Sequence, residues 1–282
     1  MNSEHRRIGP APSEERFVGI GGGTVRVVVC GSGDPLLMIN GLGAHVEMWR
    51  PLAQELSRSR QLIMFDAPGS GESGALKSPV RMHGLAAIVA QLLDALELKR
   101  VDVLGYSWGG AVAQQLAHDL PDTVRRLVLA STIPGFGGQS PSLKVLGLMT
   151  TPLRYVFPRY MRAAQPHIYG GDQRRTGLRR SQGLHGWNDH APTTVGYAQQ
   201  LFAIAGWSSL PWLSTLRHPS LILCGDDDPL VPVRNARILA EAIPRSELHI
   251  VADAGHLWLL DHAPESAMII EDFLSSTEAG AA

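Results

Sequence analysis

A serine flanked by glycines, Gly105-Tyr106-Ser107-Trp108-Gly109, follows the apolar run Val101-Asp102-Val103-Leu104 and opens a segment of helical character ending near Leu120. The five-residue pattern alone is a weak signal. At a strand-to-helix turn it gains meaning, because the tight backbone there tolerates only glycine at neighbouring positions and lifts the Ser107 hydroxyl above the sheet. The first turn of the following helix also points free N–H groups at the same spot. A hydroxyl is a poor nucleophile until a base takes its proton, and histidine, titrating near neutrality, suits that role. Of the 11 histidines, His256 is best placed: it follows the apolar run Leu248–Val251 in the loop Asp253-Ala254-Gly255-His256. His249 within that run, His262 at the next helix start and His118 near a helix end read as structural or surface residues.

The imidazole needs a carboxylate to fix its tautomer and stabilise its cation. Asp226, Asp227 and Asp228 follow the run Leu221–Cys224. Asp228 is the choice, since it lies deepest in the loop and Pro229 fixes its exit; Asp226 is the alternative. A metal site is disfavoured because no second ligand cluster has usable spacing. The order Ser107, Asp228, His256 is the one expected for this arrangement on an α/β sheet. A tetrahedral oxyanion needs preorganised donors. The backbone N–H of Trp108 is one; the N–H of Leu42, in Asn40-Gly41-Leu42-Gly43, is the other. A second glycine motif, Gly69-Ser70-Gly71-Glu72-Ser73-Gly74, matches a dinucleotide-binding pattern. That chemistry requires a helix to begin at the motif, whereas Pro79 interrupts and Asp94 falls mid-helix. A glycine-rich loop bordering the site is the better reading.

These side chains require strands to carry them. Seven apolar runs qualify: Val25–Cys30, Leu36–Asn40, Leu62–Asp66, Val101–Leu104, Arg126–Ala130, Leu221–Cys224 and Leu248–Val251. Helical spacing of Leu85, Ile88, Val89, Leu92, Leu93 and Leu96 separates two of them, which argues for βα units and a mostly parallel sheet with helices on both faces. Residues 17–133 and 216–276 form the expected core, with tails at 1–16 and 277–282. Residues 134–215 break the alternation. They hold ten of the 17 aromatics and eight Lys/Arg against two Asp/Glu, and read as a helical lid. Trp187, Trp207 and Trp212 are its candidate substrate-binding residues.

The 282 residues are 44% hydrophobic and 18% charged, which excludes intrinsic disorder. A net charge of −1 removes the electrostatic case for nucleic-acid binding. Cys30 and Cys224 each end an apolar run and read as buried, reduced thiols. The polar start MNSEHRRIGPAPSEER lacks a signal-peptide core, and no apolar run is long enough to span a membrane. The expectation is a soluble, cytoplasmic protein.

Together, and in this order, these residues resemble the α/β-hydrolase superfamily from about residue 17 onward. A closer resemblance is to intracellular depolymerases of medium-chain-length poly(3-hydroxyalkanoates). It is carried by GYSWGGAVAQQLAHDLPDTVRRLVLAST, by the loops GDDDPLVP and ADAGH, and by the lid segments RYVFPRYMRAAQPHIYGG and QLFAIAGWSSLPWL. The resemblance implies nucleophile, carboxylate and base roles for Ser107, Asp228 and His256. It implies an ester or polyester substrate, with a storage-granule surface as a further partner, and no cofactor or metal. A related polyester synthase lineage uses cysteine as nucleophile; serine here favours hydrolysis. The rival readings are a small-ester, lactone or C–C hydrolase of the same architecture, and a non-catalytic hydrolase-fold binding protein.

Overall fold

Runs of Val, Leu and Ile bounded by glycine and polar turns fold into the strands of one eight-stranded sheet in the computed structural model, which describes residues 8, 12–151, 153–176 and 190–276. The strands are β1 (Ser13–Ile20), β2 (Gly23–Cys30), β3 (Asp34–Ile39), β4 (Arg60–Phe65), β5 (Val101–Tyr106), β6 (Val124–Ala130), β7 (Ser220–Gly225) and β8 (Ser246–Val251). Their order is β1-β2-β4-β3-β5-β6-β7-β8. β1 pairs antiparallel with β2, and β2 with β4; every later pairing is parallel. All seven strands expected from the apolar runs are present. The eighth, β1, begins at Ser13, inside the segment expected as a tail. It was hidden because its residues alternate between half-buried and exposed on the sheet edge, with no apolar run to betray it.

The helices are α1 (Arg50–Leu56), α2 (Met82–Ala95), α3 (Trp108–Asp119), α4 (Leu143–Met149), α5 (Leu153–Val156), α6 (Pro158–Tyr169), α7 (Gly171–Thr176), α8 (Thr194–Ile204), α9 (Arg234–Ala242), α10 (Trp258–Asp261) and α11 (Ala263–Ser275). Because strand side chains alternate between faces, β3 sends Leu36 and Met38 into one core cluster and Leu37 and Ile39 into the other. α1 and α11 cover the first face; α2, α3 and α9 cover the second. α4 to α8 form an insertion between β6 and β7. Its two ends meet at a root, where Gly135 and Ser208 make an antiparallel bridge and Ser209 N–H donates to Pro134 O at 2.8 Å.

Both cysteines are buried and free, and burial pushes the Cys30 thiol up to about 11 and the Cys224 thiol up to about 12. No described helix is long and apolar enough to cross a membrane.

At the carboxyl end of β4, Asp66 is fully buried and binds three separate segments together. Its Oδ1 accepts Val46 N–H at 2.7 Å, its Oδ2 accepts Glu72 N–H at 2.9 Å, and Arg26 of β2 lies 3.3 Å away. Burial raises the Asp66 carboxyl, against the pull of those donors. Arg26 also pairs with Glu15 and Glu47, so the loops after β3 and β4 share one buried charge cluster. Asp66→Ala leaves the Val46 and Glu72 N–H groups without their acceptor and removes one of three carboxylates around Arg26, and should lower stability by about 2–5 kcal/mol in urea unfolding. Glu14→Ala, which removes only the exposed Arg16–Glu14 pair, should leave the urea midpoint where it is.

Candidate active site

The elbow after β5 is strained as its chemistry requires. Ser107 has φ 55° and ψ −120°, a backbone region that non-glycine residues rarely enter. Ser107 N–H donates to Ala130 O of β6 at 2.9 Å, and Thr132 Oγ1 donates to Ser107 O, so the strained residue is held on both sides. Gly109 has no room for a side chain: a Cβ there would lie 2.1 Å from Ile39 O and 2.5 Å from Asn40 O. That contact presses the start of α3 against the end of β3.

The structure brings Ser107, His256 and Asp228 together. The Ser107 hydroxyl lies 3.0 Å from His256 Nε2, and His256 Nδ1–H donates to Asp228 Oδ2 at 2.7 Å. An ionised carboxylate only accepts, which places the proton on Nδ1 and leaves Nε2 free to take the serine's. Asp228 Oδ1 accepts Leu230 N–H at 2.9 Å and Val231 N–H at 2.8 Å, so both carboxylate oxygens are committed and the side chain cannot rotate. The three adjacent aspartates have separate tasks. Asp226 Oδ1 accepts Asp253 N–H at 2.7 Å, tying the β7 loop to the β8 loop. Asp227 accepts Gly171 N–H at 2.7 Å and pairs with Arg174 at 2.8 Å, holding α7 of the insertion. Only Asp228 reaches the imidazole.

His256 is buried between two tyrosines that the sequence reading did not single out. Tyr106 donates its O–H to His256 O at 2.7 Å, and the two rings lie 5.2 Å apart. Burial first, then the Asp228 charge, raise the Tyr106 phenol well above its ordinary value, which keeps it a donor. Tyr169, at the end of α6, stacks its ring on the imidazole at 6.2 Å and accepts His256 N–H through its carbonyl at 2.7 Å. Tyr106 stood in the elbow motif itself; Tyr169 gave no signal, since its role lies in its backbone.

Leu42 follows β3 and lines the cavity over Ser107, and its neighbour Gly41 packs directly against the Ser107 side chain. Tyr155 of α5 donates its O–H to Leu42 O. Trp108 opens α3, with its indole N–H on Gln200 O at 3.1 Å. The cavity is about 30 Å³ and is lined by Leu42, Met149, Tyr155, Tyr169 and Leu230 beside Ser107 and His256. Larger cavities of about 230 and 750 Å³ contain neither Ser107 nor His256.

Trp207 and Trp212, two of the tryptophans expected to bind substrate, pack on α3. Trp207 donates its indole N–H to Gln115 of α3 at 2.7 Å, and Trp212 stacks on His118 of α3 at 4.2 Å. Both anchor the root of the insertion and neither lines the Ser107 cavity. Aromatic enrichment cannot by itself separate a hinge packed on a helix from a channel wall. Trp187 lies outside the described residues.

Residues 34–263 match the family described as alpha/beta hydrolase fold. The chain is 44% identical over 240 residues to the poly(3-hydroxyalkanoate) depolymerase of Ectopseudomonas oleovorans, covering 85% of this chain and 84% of that protein. It is 27% identical to the 2-hydroxymuconate semialdehyde hydrolase of Pseudomonas sp. strain CF600, over 89% of this chain and 90% of that one. The crystal structure of the enol-lactonase from Burkholderia xenovorans LB400 superposes with a TM-score of 0.80 at 24% identity, covering 93% of this chain and all of that one, a likeness of fold.

The close approach of α3 to β3 gives a test of the elbow. Gly109→Ala forces a methyl group into the Ile39 carbonyl, and should lower stability by about 2–3 kcal/mol in thermal unfolding.

Proposed function

The chain belongs to the alpha/beta hydrolase fold family, and from that premise we propose that it is a serine hydrolase of aliphatic esters, acting on poly(3-hydroxyalkanoate) or its oligomers. The observation that carries the chemistry is the continuous relay from Ser107 Oγ through His256 to Asp228, at 3.0 and 2.7 Å. The substrate class is supported by 44% identity to a depolymerase, extending over 85% of the chain and so into the insertion.

Ser107 attacks the ester carbonyl as His256 Nε2 accepts the hydroxyl proton, and Asp228 stabilises the resulting imidazolium. Charge collects on the former carbonyl oxygen, where the N–H groups of Leu42 and Trp108 meet it. His256 then hands its proton to the departing hydroxyl of the next polyester unit. Water, deprotonated by the same nitrogen, releases the 3-hydroxy acid and restores the serine. In this cycle His256 Nε2, 3.0 Å from the Ser107 hydroxyl, carries each proton.

The insertion acts as a lid in this reading. A cavity of about 30 Å³ is far below the roughly 300 Å³ or more of ordinary ligand pockets, so an acyl chain enters as α4 and α5 withdraw. Exposed Leu143, Val156 and Phe157 on these segments offer an apolar face to a granule surface in the cytoplasm. A second reading, hydrolysis of C–C bonds or lactones, draws support from the semialdehyde hydrolase relative. Monomer release from a polyester emulsion separates the two.

Ser107→Ala should cost about 10⁶ in kcat for p-nitrophenyl esters while the protein stays folded. Asp228→Asn should cost on the order of 10⁴ through loss of the oriented tautomer, and Asp226→Asn far less; the reverse ranking would reassign the carboxylate.

At roughly 0.8 kcal/mol per buried CH₂, kcat/KM should climb up to about tenfold per two carbons from C2 to about C8 esters. Leu230→Trp, narrowing the cavity, should flatten that climb. Trp207→Ala, loosening the root, should instead lower the melting temperature and affect all chain lengths alike. A profile peaking at acetate, with no monomer released from polyester, would sink the depolymerase reading.

A further inference from the structure

Gln200 is a polar residue on the buried stripe of α8, between Gly196, Tyr197 and Ala203, and is 2% exposed. Its hydrogen bonds cross from the insertion to the core. Oε1 accepts Gly43 N–H at 2.8 Å. Nε2 donates to Ser70 Oγ at 2.8 Å and to Pro68 O at 3.2 Å. Its main-chain oxygen accepts the Trp108 indole N–H at 3.1 Å. One residue therefore holds the neighbour of Leu42 and the side chain of Trp108, the two positions whose N–H groups serve as oxyanion donors in the proposed mechanism.

The glycine-rich loop after β4 explains how α8 comes so close. Gly69, at φ +80°, abuts Gly196 backbone to backbone: a Cβ on Gly69 would lie 2.3 Å from Gly196 Cα. Thr193 N–H donates to Gly69 O at 3.1 Å, and Thr193 Oγ1 caps α8 by accepting Gly196 N–H at 2.9 Å. The motif that imitates a nucleotide-binding loop is a seat for this helix.

We propose that Gln200 is the positioning residue of the oxyanion hole, so that Leu42 and Trp108 N–H groups converge only when α8 of the insertion is seated. The inference rests on the serine-hydrolase reading. Removing the Gln200 amide leaves the Gly43 N–H buried without an acceptor, and the loop must turn to satisfy it. Turning it swings the adjacent Leu42 N–H off the oxyanion. Seating of the insertion and electrostatic stabilisation of the transition state thereby become one event.

The test compares Gln200→Leu, nearly the same shape without polar atoms, with Gln200→Glu, which keeps an acceptor for Gly43. With a p-nitrophenyl octanoate substrate, Gln200→Leu should lower kcat about 10- to 100-fold with KM within about twofold. An alkylboronic acid, whose adduct on Ser107 places an oxygen in the oxyanion hole, should bind more weakly by the same factor. Gln200→Glu should recover most of the loss. If Gln200→Leu does not fold, Ser70→Ala removes a single contact and should give about a threefold fall in kcat with a matching loss of boronate affinity. An unchanged kcat in an active background, or a fall in kcat with boronate affinity intact, overturns the inference alone. A wild-type protein that hydrolyses no ester, and whose Ser107 escapes a fluorophosphonate probe, overturns the serine-hydrolase reading and the inference with it.

Discussion

Six neighbouring strands, β4-β3-β5-β6-β7-β8, run in the same direction, and everything else at the site depends on that. A parallel sheet gathers the carboxyl ends of its strands at one edge, where the connecting loops form a crevice. Residues separated by 149 positions in the chain, Ser107 and His256, are thereby brought to hydrogen-bonding distance. Asp228 arrives from the loop between them, and Leu42 and Gly69 from the loops after β3 and β4. The register of the sheet sets these positions before any side chain chooses a rotamer.

The loops at that edge are held by one another and by the insertion as well as by their strands. Asp226 ties the β7 loop to the β8 loop; Asp227 ties it to α7. Tyr169 takes the N–H of His256, while Arg175 reaches Asp253 O at 2.9 Å. Such contacts satisfy backbone groups that a buried loop would otherwise strand. They also make the insertion a structural partner of the residues it covers. The eight Lys/Arg of that segment include two arginines, Arg174 and Arg175, whose charge is spent on Asp227 and Asp172.

How much of this was legible follows from what kind of signal each part leaves. Strands buried on both faces appear as apolar runs, so the inner strands could be read directly, and β8, though half-exposed, showed through Leu248, Ile250 and Val251. β1 could not, because Ser13-Glu14-Glu15-Arg16 on a half-exposed edge looks like any polar terminus. The elbow and the histidine loop were readable because glycine spacing reports backbone geometry, and backbone geometry is what Ser107 and His256 need. For Trp207 and Trp212 the aromatic count carries no direction: the same side chains serve a hinge or a channel, and here they pack on α3. Gln200 leaves only a faint trace, a glutamine at helical spacing among Gly196, Tyr197 and Ala203. Tyr169 left none, since a carbonyl oxygen is common to every residue.

The root of the insertion has a bearing on how such proteins diversify. Phe136 N–H donates to Trp207 O at 2.7 Å, beside the Gly135–Ser208 bridge, so the chain leaves and re-enters the core at nearly one point. Closing the gap there would disturb no strand register, and the whole segment can be exchanged as a module through gene fusion. Yet Gln200 and Tyr169 travel with it. A transplanted segment therefore imports the scaffold of its donor's oxyanion loop and the backbone partner of the donor's histidine, and a chimera inherits part of its catalytic apparatus along with its cover.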